Sequence, residues 1–164
     1  MIWAQDKNRL IGAKGKMPWH LPSEVTYFRE VTEGNIILYG RKTFESFIDI
    51  KPLPNRVNWM MSRSHSIDIE GVTVFAHIDD VLAAYSGEIA LEKDLWIIGG
   101  TEIYELFLTL ADEIYITEVE GDYAGDTYAP KLDRKTWKKD HDFGNFVCNY
   151  AEACYETTKY VKRS

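Results

Sequence analysis

Six apolar runs, at residues 2–4, 36–39, 57–61, 72–75, 95–98 and 114–117, are too short for membrane spans or amphipathic helices and have the length of buried strands. Helix-patterned segments at 23–33, 42–47, 78–85 and 101–108 alternate with them, each suited to cover a sheet face. The alternation predicts an α/β fold with a central, mostly parallel sheet flanked by helices. After Thr136 the pattern changes. Stretches 137–142 and 146–158 flank Phe143-Gly144-Asn145, which predicts an antiparallel C-terminal hairpin at the sheet edge. No repeat or linker marks a second domain, so residues 1–164 are expected to form one domain with a sizeable core, 45% of the chain being hydrophobic.

Charge and cysteines narrow the classes of function. Nineteen Lys and Arg stand against 26 Asp and Glu, a net charge of −7, with no basic run to neutralise phosphates, so nucleic acid is not an expected partner. The chain opens Met1-Ile2-Trp3-Ala4 and reaches Asp6 and Lys7 at once, which predicts neither a secretory leader nor a membrane anchor. Cys148 and Cys154 are too few for a disulfide scaffold and lack zinc-site spacing, so a reducing cytoplasm is the expected compartment. His20, His65, His77 and His141 are isolated and read as loop or surface residues, and no metal is expected.

Residues 6–22 form the one long irregular segment, with Gly12, Gly15, Pro18 and Pro22, a length that suits a lid or binding loop. Trp19 lies at its end, where an indole can wall a pocket. The helix that follows, from Pro22-Ser23 to Gly34, puts Glu24 amid an apolar stripe of Val25, Tyr27, Phe28 and Val31 at about 100° per residue. Two readings are open. The acid complements the helix dipole and bends out to water, or it is the one carboxylate inside, at the bottom of an apolar cleft where desolvation raises its pKa.

Two glycine turns follow strands. Gly99-Gly100, between the run ending at Ile98 and Thr101-Glu102-Ile103-Tyr104, either packs strand tightly on helix or bares backbone N–H groups to a pyrophosphate. Gly40-Arg41-Lys42-Thr43 sets two cations and a hydroxyl at a similar junction, and Arg63 stands between Ser62 and Ser64 after another strand. Parallel strands present their C-terminal ends on one side, so Arg41 and Arg63 are expected to converge on a dianion, which suits the 2′-phosphate of NADP better than the ribose of NAD. Neither G-x-G-x-x-G nor a complete P-loop occurs.

Taken in order, Trp3-Ala4-Gln5-Asp6, Leu10-Ile11-Gly12, Met17-Pro18-Trp19-His20-Leu21-Pro22, Glu24, Phe28, Gly40-Arg41-Lys42-Thr43-Phe44-Glu45-Ser46, Pro52-Leu53-Pro54-Asn55-Arg56, Ile98-Gly99-Gly100, Tyr104 and Gly125-Asp126-Thr127 closely resemble the dihydrofolate reductases, the bacterial type in particular. The resemblance implies NADPH-dependent reduction of dihydrofolate to tetrahydrofolate by a cytoplasmic monomer that also binds antifolate-like molecules. It implies that Glu24, with Thr117 as neighbour and Trp19 nearby, grips the pterin; the expected mechanism is that Glu24 orients and polarises the ring while an ordered water admitted beside Met17 delivers the proton.

The same resemblance implies that Ile2, Trp3, Ala4, Val25, Phe28, Phe47, Leu53, Ile98 and Tyr104 line the substrate cleft and that Arg56 pairs with the glutamyl carboxylate, which a guanidinium fork matches. For NADPH it implies Ala4, Ile11, Gly12, Gly15, Lys16, Met17 and Trp19 at the nicotinamide and lid. Gly40, Arg41, Lys42, Thr43, Ser62, Arg63 and Ser64 would take the adenosine-phosphate end. Ile98, Gly99, Gly100, Thr101, Glu102, Ile103, Tyr104 and Thr127 would take the rest. The alternative is a riboflavin-pathway-type pyrimidine reductase of the same fold, against which Arg56 and Trp19 argue. A non-catalytic nucleotide-binding module is the rival from another class.

Overall fold

A run of four side chains with no solvent exposure, Ile36, Ile37, Leu38 and Tyr39, makes up all but the last residue of strand β3 (Ile36–Gly40) in the computed structural model of the chain, which describes residues 1–64, 66–148 and 151–164. A strand buried on both faces belongs inside a parallel sheet. Strand β3 pairs in parallel with β4 (Val57–Met61) and β6 (Leu95–Gly99), and β5 (Val72–Phe75) adds to β4, giving the order β5-β4-β3-β6. The register aligns Gly40 with Met61 and Tyr39 with Gly99, so the residues after these strands leave from one end of the sheet. Helices α2 (Arg41–Glu45), α3 (Ile78–Ala84), α4 (Glu88–Glu92) and α5 (Thr101–Phe107) follow the strands; α4 is five residues long and carries no sequence signal of its own.

This sheet lies in one of the two compact units of the chain, Thr26–Leu106; the other is Met1–Val25 with Phe107–Ser164. In the latter, β1 (Ile2–Gln5) runs parallel to β7 (Glu113–Val119), and β11 (Tyr155–Lys162) runs antiparallel to β7. The α/β class and the mostly parallel sheet with antiparallel C-terminal strands are as expected.

Three details differ from the sequence reading. The hairpin turn is not at Phe143-Gly144-Asn145: β10 (Asn145–Val147) pairs with β11, and β9 (Trp137–Lys139) pairs with the far end of β11. The long alternating strand β11 thus sets the pairing, and the Gly-Asn signal marks only the approach to β10. The reversal falls between β10 and β11, where Cys148 and Cys154 are joined in a disulfide. Residues 149 and 150 of the expected strand, and His65, lie outside the described residues.

Residues 6–22 are not irregular throughout. Strand β2 (Leu10–Gly12) pairs with β8 (Thr127–Tyr128), and Ala13 and Lys16 exchange backbone hydrogen bonds of 2.7 and 3.0 Å around Lys14 and Gly15, whose φ angles of 51° and 76° are those of a tight hairpin turn. The third difference is a second buried carboxylate. Asp6 has no solvent exposure; its Oδ1 accepts from the backbone N–H of Asn8 and Leu10 at 2.8 and 2.9 Å, and its Oδ2 from Tyr123 N–H at 3.2 Å. With three donors from the backbone, it fastens the β1–β2 turn to the segment after β7.

Helix α1 (Pro22–Thr32) begins on a proline, whose missing N–H costs nothing in a first turn, and stops before Gly34 at φ 77°. Its buried line is Glu24 and Thr32 with half-buried Phe28 between them, one residue per helical turn.

Candidate active site

Glu24 is 5% exposed, which settles the two readings of the helix in favour of the inward acid. Burial pushes its carboxyl up to about 7, and a hydrogen bond to Thr117 of β7 pulls in the opposite direction without overcoming that rise. Thr117 pairs across the sheet with Ala4 on one side and Thr157 on the other, so the strand register dictates what lies beside the acid.

The N-terminal end of α1 is tied down. Ser23 donates to the Glu152 carboxylate from its N–H at 3.3 Å and from its hydroxyl at 2.6 Å, and Tyr155 Oη lies 2.7 Å from the same hydroxyl.

Trp19 packs with Leu21, Val119 and Tyr155, with Ala4 and Tyr123 against the cluster. Its ring meets Tyr123 edge-on at 5.3 Å. The buried Trp19 Nε1 has no hydrogen-bond partner among the described residues, a donor left over in an apolar wall. Ile2 and Trp3 are core residues of β1, with the Trp3 indole donating to Gln5 Oε1 at 2.8 Å. Val25 does not join the apolar stripe: it is 47% exposed, because Glu24 and Phe28 define the inward face and Val25 stands a quarter-turn from it.

Of the residues expected to form a lid, Ile11 and Gly12 lie in β2, paired with β8, and Gly15, Lys16 and Met17 follow it. Ile11 is half-buried, Gly12 is buried, and Gly15, Lys16 and Met17 are exposed. Asp126 N–H donates to the Gly12 carbonyl at 3.1 Å, Asp126 Oδ2 accepts from Lys14 N–H at 3.2 Å, and the Thr127 hydroxyl donates to Asp126 Oδ1 at 2.8 Å.

In the unit Thr26–Leu106 the two glycine turns come together. A Cβ at Gly99, where φ is 127°, would lie 3.4 Å from Thr43 Oγ1 and 3.3 Å from Tyr104 Oη; one at Gly100 would lie 3.6 Å from Thr43 Oγ1. Side-chain-free backbone facing a hydroxyl is a cradle that fits a pyrophosphate. Thr101 and Ile98 are half-buried and Glu102 is exposed. Ile103 faces inward, since a Cβ at Gly40 would meet its Cγ1 at 3.1 Å.

Arg41, Lys42 and Arg63 are exposed, and Ser62 and Ser64 are half-buried. Adjacent strand ends place Arg41 and Ser62 side by side in the register, but Arg41 Nε donates to Glu45 Oε1 at 2.9 Å, an exposed pair along α2.

The Pro52-Leu53-Pro54 loop hangs on Asn58, a buried polar residue inside the otherwise apolar β4. Asn58 Oδ1 accepts from Leu53 N–H at 3.0 Å and from Tyr39 Oη at 2.9 Å, while its Nδ2 donates to the carbonyls of Leu53 at 2.8 Å and Arg56 at 3.1 Å. Arg56 Nε donates to the Pro54 carbonyl at 2.9 Å, and partial burial lowers the guanidinium pKa. Phe47 packs edge-on against Tyr39 at 5.1 Å. Sequence reading missed Asn58 and Asp6. The signal for Asn58 was a lone amide in a run read as a buried strand, which must find partners.

The dihydrofolate reductase family model matches residues 1–157. Dihydrofolate reductase of Bacillus subtilis (strain 168) is 39% identical over 137 residues, 84% of this chain and 78% of the relative. That of Mycobacterium leprae (strain TN) is 36% identical over 141 residues, 84% of this chain and 82% of the relative. The chain belongs to the dihydrofolate reductase family. Dihydrofolate reductase from Enterococcus faecalis complexed with NADP(H) and RAB-propyl has a similar solved structure, with TM-score 0.88 and 30% identity, covering 99% of this chain and 95% of that one. The riboflavin-pathway alternative and the non-catalytic module give way to this family.

Proposed function

We propose that Glu24 is the acid that holds and polarises the pterin ring, flanked by Thr117 and Trp19, in the reaction of the family. That reaction is the NADPH-dependent reduction of 7,8-dihydrofolate to 5,6,7,8-tetrahydrofolate, and the chain is an NADPH-dependent oxidoreductase. The observation that carries the role of Glu24 is a carboxyl that is 5% exposed and has its pKa raised to about 7. Such a group exchanges protons near neutral pH and pairs strongly with a nitrogen-rich heterocycle edge.

NADPH, when bound, supplies the hydride from its reduced nicotinamide. The chain positions and excludes water, and positioning contributes roughly 7–11 kcal/mol at best. Glu24 accepts from the pterin N3 and 2-amino group, and Trp19 Nε1, with no partner among the described residues, offers a donor to an ordered water or the ring. Thr117 holds Glu24 in place. Met17, exposed on the lid, borders the route by which a water brings the proton.

Arg56 takes the glutamyl carboxylate. Phe28, Phe47 and Leu53, all half-buried, give the substrate apolar contact. The Gly99-Gly100 backbone with Thr43 takes the pyrophosphate, and Arg41 and Arg63, with Ser62 and Ser64, take the 2′-phosphate. Antifolate-like molecules that mimic the pterin edge compete for Glu24.

We further read residues 1–164 as one functional domain, a monomer without nucleic-acid or membrane partners, cytoplasmic by its family resemblance and not by its cysteines, since the Cys148–Cys154 disulfide removes the argument from reduced thiols. The net charge of −7 supports the absence of nucleic acid, and no helix among the described residues is long and apolar enough to cross a membrane.

The test is loss of NADPH absorbance with dihydrofolate, in wild type and Glu24→Gln. Turnover by wild type with a drop of roughly 10²–10⁴-fold in Glu24→Gln is expected. A variant within a few-fold of wild type at neutral pH removes the role of Glu24.

A further inference from the structure

Thr117 and Thr157 face each other across the β7–β11 ladder, with 1% and 0% exposure, and their hydroxyl oxygens lie 2.9 Å apart. Either oxygen can be the donor by distance alone. We propose that Thr157 is a positioning residue for the acid: its hydroxyl donates to Thr117 Oγ1 and thereby commits the single Thr117 proton to the Glu24 carboxylate. This rests on the reading of Glu24 as the acid of the site.

The argument is one of proton counting. Each threonine hydroxyl carries one hydrogen and accepts through its lone pairs. Among the described residues the Thr117 hydroxyl has two hydrogen-bond neighbours, the Glu24 carboxyl and Thr157 Oγ1. An ionised carboxylate only accepts, so Thr117 must donate to it, and the Thr117–Thr157 bond then has one remaining sense, with Thr157 as donor. The opposite sense would turn the Thr117 proton away from a buried charge and leave that charge under-solvated.

A hydroxyl that receives a hydrogen bond is a stronger donor, so Thr157 favours the ionised form of Glu24 through a residue it touches and an acid it does not. When Glu24 is protonated, the chain can reverse, with Glu24 donating to Thr117 and Thr117 to Thr157. A valine at 157 would fill the same volume and allow neither sense. Thr157 has no other side-chain hydrogen-bond partner among the described residues, so nothing else accounts for a hydroxyl with no solvent exposure.

Charged neighbours do not compete for this role. Period-2 alternation puts Tyr115, Tyr155 and Lys159 on the face of Thr117 and Thr157, and each is engaged elsewhere. Lys159 and Tyr115 both bond Glu113, at 2.6 and 2.9 Å, and Tyr155 meets Ser23. Glu118 and Glu156 point to the other face, Glu152 is held by Ser23, and the residues of β1 on this face, Ile2 and Ala4, are apolar. On Glu24, burial raises the pKa and the Thr117 bond opposes it.

The test titrates the Glu24 carboxyl by carbon-13 NMR in wild type, Thr157→Val and Thr157→Ser, alongside the pH profile of hydride transfer. Thr157→Val should raise the Glu24 midpoint by roughly half a pH unit, the loss of cooperative strengthening in one charge-assisted bond, and Thr157→Ser should restore it. The alkaline limb of the rate profile should move by the same amount. In a Thr117→Val background, Thr157→Val should leave the midpoint unchanged.

A Val variant with a wild-type midpoint to within about 0.1 unit, or a Ser variant that behaves like Val, overturns the proposal. If Thr157→Val does not fold, Thr157→Ala gives the same reading. Because the carboxyl titration needs no turnover, a chain that fails to reduce dihydrofolate would count against the role of Glu24 while leaving the Thr157 chain to be judged on its own midpoint.

Discussion

Thr117 hydrogen-bonds the Glu24 carboxyl and lowers its pKa, while burial raises it further than the bond can compensate, to about 7 against an ordinary 4.5. The fold therefore binds a proton at Glu24 that the unfolded chain releases. With the folded pKa the higher one, this burial costs nothing below about pH 4.5, and the cost grows as pH rises, reaching its full value above about pH 7. Its size is on the order of 3 kcal/mol. Glu24→Gln keeps the shape and removes the charge. The variant should resist urea better than wild type at pH 8, and the two should converge near pH 4, while activity falls. Equal stability at both pH values would mean that the acid is solvated in the native state.

Asn58 makes four hydrogen bonds, to Tyr39, Leu53 and Arg56, from inside β4. Asn58→Ala should destabilise the chain by roughly 2–4 kcal/mol, because the hydroxyl of the fully buried Tyr39 in β3 and the Leu53 N–H of the half-buried loop lose their partner. If Arg56 takes the substrate's carboxylate, releasing its backbone should raise KM for dihydrofolate several-fold with kcat nearly unchanged. A fall confined to kcat would contradict this link between the loop and binding.

How far these relationships could be read in advance depends on the range of the signal. The run at 36–39 was legible because a strand buried on both faces has no polar residue to interrupt it; Glu24 stands out as an acid among Tyr27, Phe28 and Val31, but the pattern leaves its direction open and only its burial decides it. Strands β2 and β8, three and two residues long, are below the length at which alternation shows. The hairpin was misplaced because a Gly-Asn pair is a local signal, whereas the partner of β10 is chosen by eight residues of β11. Thr157 gives no signal at all, since threonine is an ordinary strand residue and only the register with Thr117 distinguishes it. Thr43 and Gly99 were each singled out, but their approach follows from the pairing of Tyr39 with Gly99.

Arg41 and Arg63 are expected to set the preference for NADPH over NADH. Alanine at both should cut the ratio of kcat/KM values by roughly 10–100-fold, the worth of one to two charge-assisted hydrogen bonds, mainly through KM for NADPH. The Arg41–Glu45 pair is exposed and contributes little to stability. Glu45→Ala should therefore leave the melting temperature nearly unchanged and, by freeing Arg41, slightly lower KM for NADPH. A cofactor ratio untouched in the double variant would move the phosphate contact elsewhere.

Gly125 lies against strand β2 so closely that a Cβ there would run into the Gly12 carbonyl and meet Leu10 Cδ1 at 2.9 Å. The contact involves backbone on one side, so it cannot be relieved by turning a side chain. Gly125→Ala must push β8 from β2, and the first bonds to stretch are Asp126 N–H to Gly12 and Lys14 N–H to Asp126, which hold the turn at 13–16. On the proposed reading of residues 11–17 as a lid, with Glu24 undisturbed, the expected effect is on turnover and KM for NADPH together, with the pH midpoint of the rate profile unchanged. Amide exchange at Lys14 and Lys16 should speed up in the variant while that of β3 stays at its wild-type rate. Wild-type exchange at Lys14 in a folded Gly125→Ala protein would show that the Gly12–Gly125 contact does not govern the lid.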